Sequence, residues 1–235
     1  AGQGYTAQAP NRVLDSRDGL GVSDRPWGSQ ESRAVTVTGA GVPTSGVSAV
    51  VLNVTVTETT ADGFLSAYAD GADRPDASSV NWVGGQTVAN QVTVPVGSNG
   101  RVRLFNFLGS TEVLADVVGY YSSSGGVGFH PVVPRRILDS RDGTGGISTP
   151  WGNATSRRLQ ATGTYGSGVP EPGTVAVVAN ATVTNTTTAG FLLLHPDGTS
   201  RPNASNVNWA AGETRANLTT TSVGSGGGVS IYNHH

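Results

Sequence analysis

The chain has 235 residues, a formal charge of −2, no Cys and no Met, and all 14 of its basic residues are Arg. The lack of Cys excludes disulfides, thiol catalysis and Cys-based zinc sites, and the lack of Lys excludes Schiff-base chemistry and Lys-dependent isopeptide cross-links. The small net charge without any basic cluster argues against nucleic acid as a partner, and no apolar run approaches the ~18 residues of a membrane span.

Charged residues make up only 13% of the chain while Gly reaches 34, against about a quarter charged in an average soluble protein. With abundant Thr, Ser and Asn, this reads as an extracellular β protein with a neutral, polar surface. Ala1-Gly-Gln-Gly4 resembles what signal peptidase leaves behind, which suggests a secreted or cell-surface protein whose start lies after processing or mid-chain.

In chain order, strand-like runs are expected at residues 12–16, 34–38, 50–57, 63–68, 79–83, 88–94, 101–105 and 113–120. The clearest is Val50–Thr57, where Val50, Leu52, Val54 and Val56 fall on one face and Val51, Asn53, Thr55 and Thr57 on the other. Alternation of β-branched residues with period two is the pattern of a half-buried strand. Between the runs lie turn-forming clusters such as Asp70-Gly71, Gly84-Gly85 and Ser98-Asn99-Gly100.

The chain is written twice. Arg12–Gly28 returns 124 positions later as Arg136–Gly152, with eleven of seventeen residues identical. After a short insertion the spacing becomes 127, relating Asn53 to Asn180, Phe64 to Phe191, Asp70 to Asp197, Arg74-Pro75 to Arg201-Pro202, Asn81-Trp82 to Asn208-Trp209 and Asn106 to Asn233. A repeat of this length is a whole small domain rather than a solenoid unit. The expected architecture is therefore all-β: two tandem antiparallel β-sandwiches, jelly-roll or Greek-key in character. Residues 1–121 form the first repeat, 122–128 a Gly/Ser linker, and 129–235 the second repeat. The second repeat has no counterpart of Thr111–Tyr121, since the sequence stops at Asn233-His-His235. A sandwich lacking its last strand leaves a neighbour with unpaired backbone groups and an open apolar stripe. A chain cut short, a second repeat that closes with fewer strands, or a strand supplied by another subunit would each account for it.

The most specific motif is Leu-Asp-Ser-Arg-Asp-Gly. Asp15 with Asp18, and Asp139 with Asp142, could offer oxygens to Ca²⁺, but the string lacks the alternating acids and closing Glu of an EF-hand loop. The favoured reading pairs Asp15 with Arg12 or Arg17 and gives Asp18-Gly19 to a turn. Pro26-Trp27-Gly28 and Pro150-Trp151-Gly152 put an indole in a loop, either as a cap over the sandwich core or as a flat face for a sugar ring. Trp82 and Trp209 lie in strand-like runs and read as structural. Arg74 and Arg201, in loops that follow Asp70 and Asp197, could bind a carboxylate or sugar hydroxyl, or satisfy loop carbonyls. Asn106 shares parity with Val102 and Leu104 and is expected to point inward and bond backbone.

Catalysis finds little support. His130 and His195 have no counterparts in the first repeat, no Gly-x-Ser-x-Gly elbow occurs, and the duplicated acids mostly have structural readings. No catalytic residue, metal ligand or cofactor is expected. Sequons such as that at Asn53 read as by-products of Asn- and Thr-rich strands.

Taken together, Arg12–Gly19, Asn53–Thr57, Gly63–Leu65, Arg74–Asn81, Ala89-Asn90 and Asp116–Tyr121 resemble a repeat of secreted actinobacterial proteins. Its pattern runs Arg-Val-Leu-Asp-Thr/Ser-Arg-x-Gly through to a closing Asp-Val-x-Gly-Tyr-Tyr. The resemblance implies export and an accessory role beside cell-wall amidases and proteases, with no catalytic residues to carry over. The leading expectation is a secreted, non-enzymatic, lectin-like module with two equivalent sites for glycan or cell-wall polymer. Trp27 and Trp151 would be the stacking platforms, helped by Arg74, Arg201, Asp70 and Asp197. The alternatives are a surface or filament subunit that self-associates through the open edge of the second repeat, and a glycoside or ester hydrolase.

Overall fold

The computed structural model describes residues 4–39, 41–76, 78–130, 135–163 and 168–235, and among them every regular element is a β-strand. The first repeat contributes β1 (Gly4–Asp15), β2 (Glu31–Thr36), β3 (Val47–Thr57), β4 (Gly63–Ala69), β5 (Val80–Trp82), β6 (Val88–Pro95), β7 (Arg101–Asn106) and β8 (Glu112–Ser122). They form two antiparallel sheets of order β1-β8-β3-β6 and β2-β7-β4-β5. Each sheet alternates strands from the two halves of the repeat, which is the double Greek key of a jelly roll. The two sheets close over Leu14, Leu52, Val54, Leu65 and Leu104, all fully buried.

The second repeat follows the same plan, with six strands among its described residues. It supplies β9 (Thr155–Gln160), β10 (Ala176–Val183), β11 (Gly190–Pro196), β12 (Val207–Trp209), β13 (Arg215–Ser222) and β14 (Gly228–Asn233). The sheet β12-β11-β14-β9 matches β5-β4-β7-β2 strand for strand, whereas among the described residues the other sheet holds the pair β10-β13. Arg136–Asp139, the counterpart of the end of β1, is not paired as a strand. The cost shows in the core. Val50, Val54 and Val56 are fully buried in β3, while their counterparts Val177, Ala181 and Val183 in β10 are only half-buried.

The alternation read for β3 holds for its inner face, but the outer face is buried as well: Val51, Asn53 and Thr55 are 3%, 2% and 4% exposed. The second repeat covers them, packing the edge made by β12 and β13 on the β1-β8-β3-β6 sheet. That junction is built from amides. Asn53 Nδ2 donates to the Ser205 carbonyl, Asn217 Nδ2 donates to Asn53 Oδ1 at 3.3 Å, and Gln91 Nε2 donates to Thr220 Oγ1 at 2.7 Å. Buried polar groups that find partners fix a register more tightly than they add stability. The 122–128 stretch is tied down by a reciprocal backbone pair between Tyr5 and Val127 (3.1 and 2.8 Å).

The paired motifs largely take the architectural roles expected of them. Asp15 accepts from Arg12 Nη1 (3.2 Å) and Arg17 Nη2 (2.7 Å), and Asp18 Oδ1 caps the turn by accepting from the Leu20 N–H at 3.1 Å. Burial works to raise the Asp15 carboxyl, but hydrogen bonds and charge from Arg17, with Arg12, outweigh it and hold the group below its usual range. Among the described residues no cluster of three or more His, Asp or Glu could hold a metal ion. Asn106 points inward and donates to the Gly28 and Gly109 carbonyls (3.0 and 2.9 Å), and Asn233 Nδ2 reaches Gly152 O at 3.0 Å. Trp82 and Trp209 are 6% and 7% exposed, each donating Nε1 to a backbone carbonyl at 3.0 Å.

Glu31 closes the Pro-Trp-Gly loop, accepting from the Gly28 N–H (2.7 Å), Arg25 and Arg33. The hydrogen bond from Arg33, opposed by desolvation and seconded by Arg25 and Gly28, brings its pKa down to about 2. A depressed carboxylate stabilises the fold above its unfolded pKa, and that contribution is lost as pH falls through the folded value. Glu31→Gln is therefore expected to flatten the acid limb of a stability-versus-pH curve between about 4.5 and 2. Denaturant titrations at stepped pH check this, and an unchanged limb would contradict it.

Candidate functional site

Of the two indoles expected to stack on a ligand, Trp27 presents no face to solvent and Trp151 is half-buried. Trp27 is 0% exposed. Its Nε1 donates to the Leu104 carbonyl at 3.2 Å, the Arg33 guanidinium covers its ring at 4.2 Å, and its backbone exchanges hydrogen bonds with Thr111 (2.8 and 3.1 Å). Trp151 repeats the arrangement, with Nε1 to the Ile231 carbonyl at 3.1 Å and Arg157 over its ring at 4.8 Å. It is half-buried against the core of the second repeat. For Trp27 the stacking role is corrected: a fully buried ring whose face is taken by a guanidinium and whose N–H is committed to backbone is part of the core.

Asp70 and Asp197 are also engaged. Asp70 accepts from Asn99 Nδ2 and Arg103 Nε, both at 2.8 Å, and Asp197 accepts from Ser230 Oγ (2.6 Å) and Arg158 Nε (2.8 Å). Those hydrogen bonds, first from Asn99 for Asp70 and from Ser230 for Asp197, lower both carboxyls. The acids thus anchor the loops that follow them instead of facing a ligand. The cations come from different strands. Arg103 lies on β7 opposite Ala34 of β2, whereas Arg158 lies on β9 opposite Ser230 of β14. The same electrostatic job is done with large and small residues exchanged across the pair.

Beyond each acid the chain doubles back over the outer face of its sheet. Gly97 and Gly224 make this possible: a Cβ at either would lie 2.2 or 2.0 Å from the carbonyl oxygen of Asp70 or Asp197, so only glycine fits. The loops carry Arg74 and Arg201 onto aromatic rings, Arg74 over Phe105 and Arg201 over Tyr232, each at 4.0 Å. Both arginines are exposed, and among the described residues neither forms an ion pair.

Here the outward parity of the strands places further rings. Phe64 stacks on Phe107 with centroids 4.6 Å apart, and Phe191 stacks on His234 at 4.5 Å. Asn81 and Asn208 stand in register beside Phe64 and Phe191. Phe107 is 40% exposed, unusual for so large an apolar ring. In the second repeat the group bounds a cleft of about 410 Å³ lined by Phe191, Leu193, Arg201, Asn203 and His234. Burial, and then the positive charges of His235 and Arg201, lower the pKa of His234.

Of the six residues expected at a ligand site, the structure therefore leaves Arg74 and Arg201 at an accessible surface and brings them to Phe64/Phe107 and Phe191/His234. The phenylalanine pair was visible in the duplication. Its role was not, because the loop that delivers the arginine has no periodicity to reveal where it lands.

No protein-family model and no curated protein matches the chain. Solved structures that resemble it at low identity include the following two. The exported protein XepA of PBSX has 13% identity and a TM-score of 0.29, covering 95% of this chain and 85% of that one. The N-terminal CBM22-1–CBM22-2 tandem domain of Paenibacillus barcinonensis Xyn10C has 12% identity and a TM-score of 0.27, covering 97% and 91%.

Proposed function

We propose that the chain is a secreted or cell-surface, non-enzymatic module that binds glycan or cell-wall polysaccharide through two equivalent sites. They are the outer faces around Phe64, Phe107 and Arg74 and around Phe191, His234 and Arg201. The observation that carries this reading is the duplicated stack of a ring pair beside an exposed arginine that forms no ion pair among the described residues. A flat apolar face suits the C–H face of a pyranose, and an adjacent guanidinium and carboxamide can bond its hydroxyls. A polymeric ligand that spans both sites would gain by effective concentration.

Titration against peptidoglycan, chitin, cellulose and soluble glycans tests the proposal. Phe107→Ala and His234→Ala sit at the surface and should leave thermal unfolding nearly unchanged. Each single change is expected to weaken binding about tenfold at its own site, the equivalent of about 1.4 kcal/mol, and the double variant to lose avidity altogether. Absence of binding to every polymer, or affinity indifferent to the double substitution, would sink the reading.

A further inference from the structure

The two ring-and-arginine faces occupy the same place in their repeats but differ in charge. Residues 71–79 hold Arg74 between Asp73 and Asp76, a net of −1, whereas residues 198–206 hold Arg201 between Ser200 and Asn203, a net of +1. Asp73, Asp76, Ser200 and Asn203 are all exposed, so the difference is displayed at the surface. The acid nearest to Arg201 along the chain is Asp197, and it is spent on Ser230 and Arg158. The rings differ in the same sense. Where the first face has Phe107 the second has His234, whose imidazole edge carries a hydrogen-bond donor and an acceptor.

The second face is a preformed cleft. Its floor is Leu193, Ala204 and Tyr232, all buried, with Phe191 packed against them. The loop above is held at both ends, by Thr199 Oγ1 donating to the Pro196 carbonyl at 2.7 Å and by Asn206 Oδ1 accepting from the Leu194 N–H at 2.7 Å. Arg201 is thereby seated on Tyr232 at 4.0 Å before any ligand arrives, and a cation placed in advance loses less freedom on binding. The volume of about 410 Å³ falls in the range of small-molecule sites. In the first repeat the chain runs on through Leu108 and Gly109, and Phe107 is still 40% exposed, so the openness of this face belongs to the repeat itself.

Resting on the saccharide reading, we infer that the second face selects a sugar bearing a carboxylate, a uronic acid, while the first face takes a neutral sugar. A guanidinium seated on an aromatic ring keeps its N–H donors at its edge, where a planar carboxylate meets it as a fork. A uronic acid carries that carboxylate at the rim of its pyranose, so a sugar lying on Phe191 and His234 turns the anion toward Arg201. On the first face Asp73 and Asp76 repel the same ligand, and like charge set against like is how a binding site rejects a wrong partner.

Oligomers of galacturonate and of glucuronate, each as free acid and as methyl ester, are titrated into the Phe107→Ala chain, in which the second face is read alone. A free acid is expected to bind about tenfold more tightly than its ester, with a preference that shrinks as salt rises. Arg201→Gln should abolish the preference. Ser200→Asp, which introduces the acid that the first repeat carries at that place, should weaken the free acid about tenfold and leave the ester within about threefold. In the reverse direction, Asp73→Ser with Asp76→Asn in the His234→Ala chain should give the first face a preference for the free acid. Thermal unfolding checks that each variant is folded. Acid and ester bound alike in the Phe107→Ala chain, or an acid preference indifferent to Arg201→Gln, would overturn the inference and leave the saccharide reading standing. Binding to neutral polymers with none to either uronate does the same. A sugar phosphate oligomer that outbinds both uronates would overturn it by making phosphate the group recognised. Absence of binding to any saccharide sinks both readings.

Discussion

Arg12→Ala should destabilise the first repeat by about 3–5 kcal/mol, the usual cost of stripping the partner from a buried charge. Asp116 is 1% exposed and takes two hydrogen bonds from that one side chain. Its carboxyl is raised by desolvation even with Arg12 in place. A carboxylate raised in the fold favours its protonated form there, so the destabilisation should be largest at neutral pH and shrink as pH falls through the folded value. Urea denaturation at several pH values checks this, and Asp116→Asn in the Arg12→Ala background should recover part of the loss. The internal control is Arg136→Ala. That arginine is 64% exposed and bonds a single carboxylate, so its removal should leave the unfolding transition where it was. Equal effects at the two sites would refute the account.

Trp27→Ala should cost about 3–5 kcal/mol, the range for a large buried aromatic, out of the ~5–15 kcal/mol that holds a typical domain. Trp27→Phe retains most of the volume but loses the indole hydrogen bond to the Leu104 carbonyl, which keeps its ladder partner Arg33, so it should cost about 1 kcal/mol beyond the lost volume. Trp151→Ala should be milder than Trp27→Ala, because Trp151 is only half-buried and lacks the strand contact that Thr111 gives Trp27. Denaturant midpoints rank the three variants. Iodide quenching of single-Trp versions supplies a second readout, with Trp27 protected and Trp151 partly accessible. A Trp27→Ala protein with unaltered stability would show that the indole is not core.

The strands and the duplication were legible because both are local or repeated: period-two alternation in β3, turn clusters, and matched residues at fixed spacing. The fate of the loop residues was not. Whether Trp27 is a platform or a plug depends on Arg33 folding over its face and on Thr111 arriving from far along the chain. Arg74 reads as a free loop cation until the close packing at Gly97 turns the loop back onto Phe105. The outer face of β3 reads as solvent-exposed because a sequence pattern records one domain's inside and outside, and here another domain's edge rests on that outside.

The exchange of Ala34/Arg103 for Arg158/Ser230 bears on how the repeats can be recombined. Neither β2 nor β7 is an independent part, since the guanidinium that holds Asp70 or Asp197 sits on one strand and the space for it on the other. A chimera that moves the β9 sequence alone into the place of β2 would set two guanidiniums against one acid. Moving the β14 sequence alone into the place of β7 would leave that acid with none. Moving the pair together keeps the balance, so the unit of inheritance within this repeat is the hydrogen-bonded strand couple.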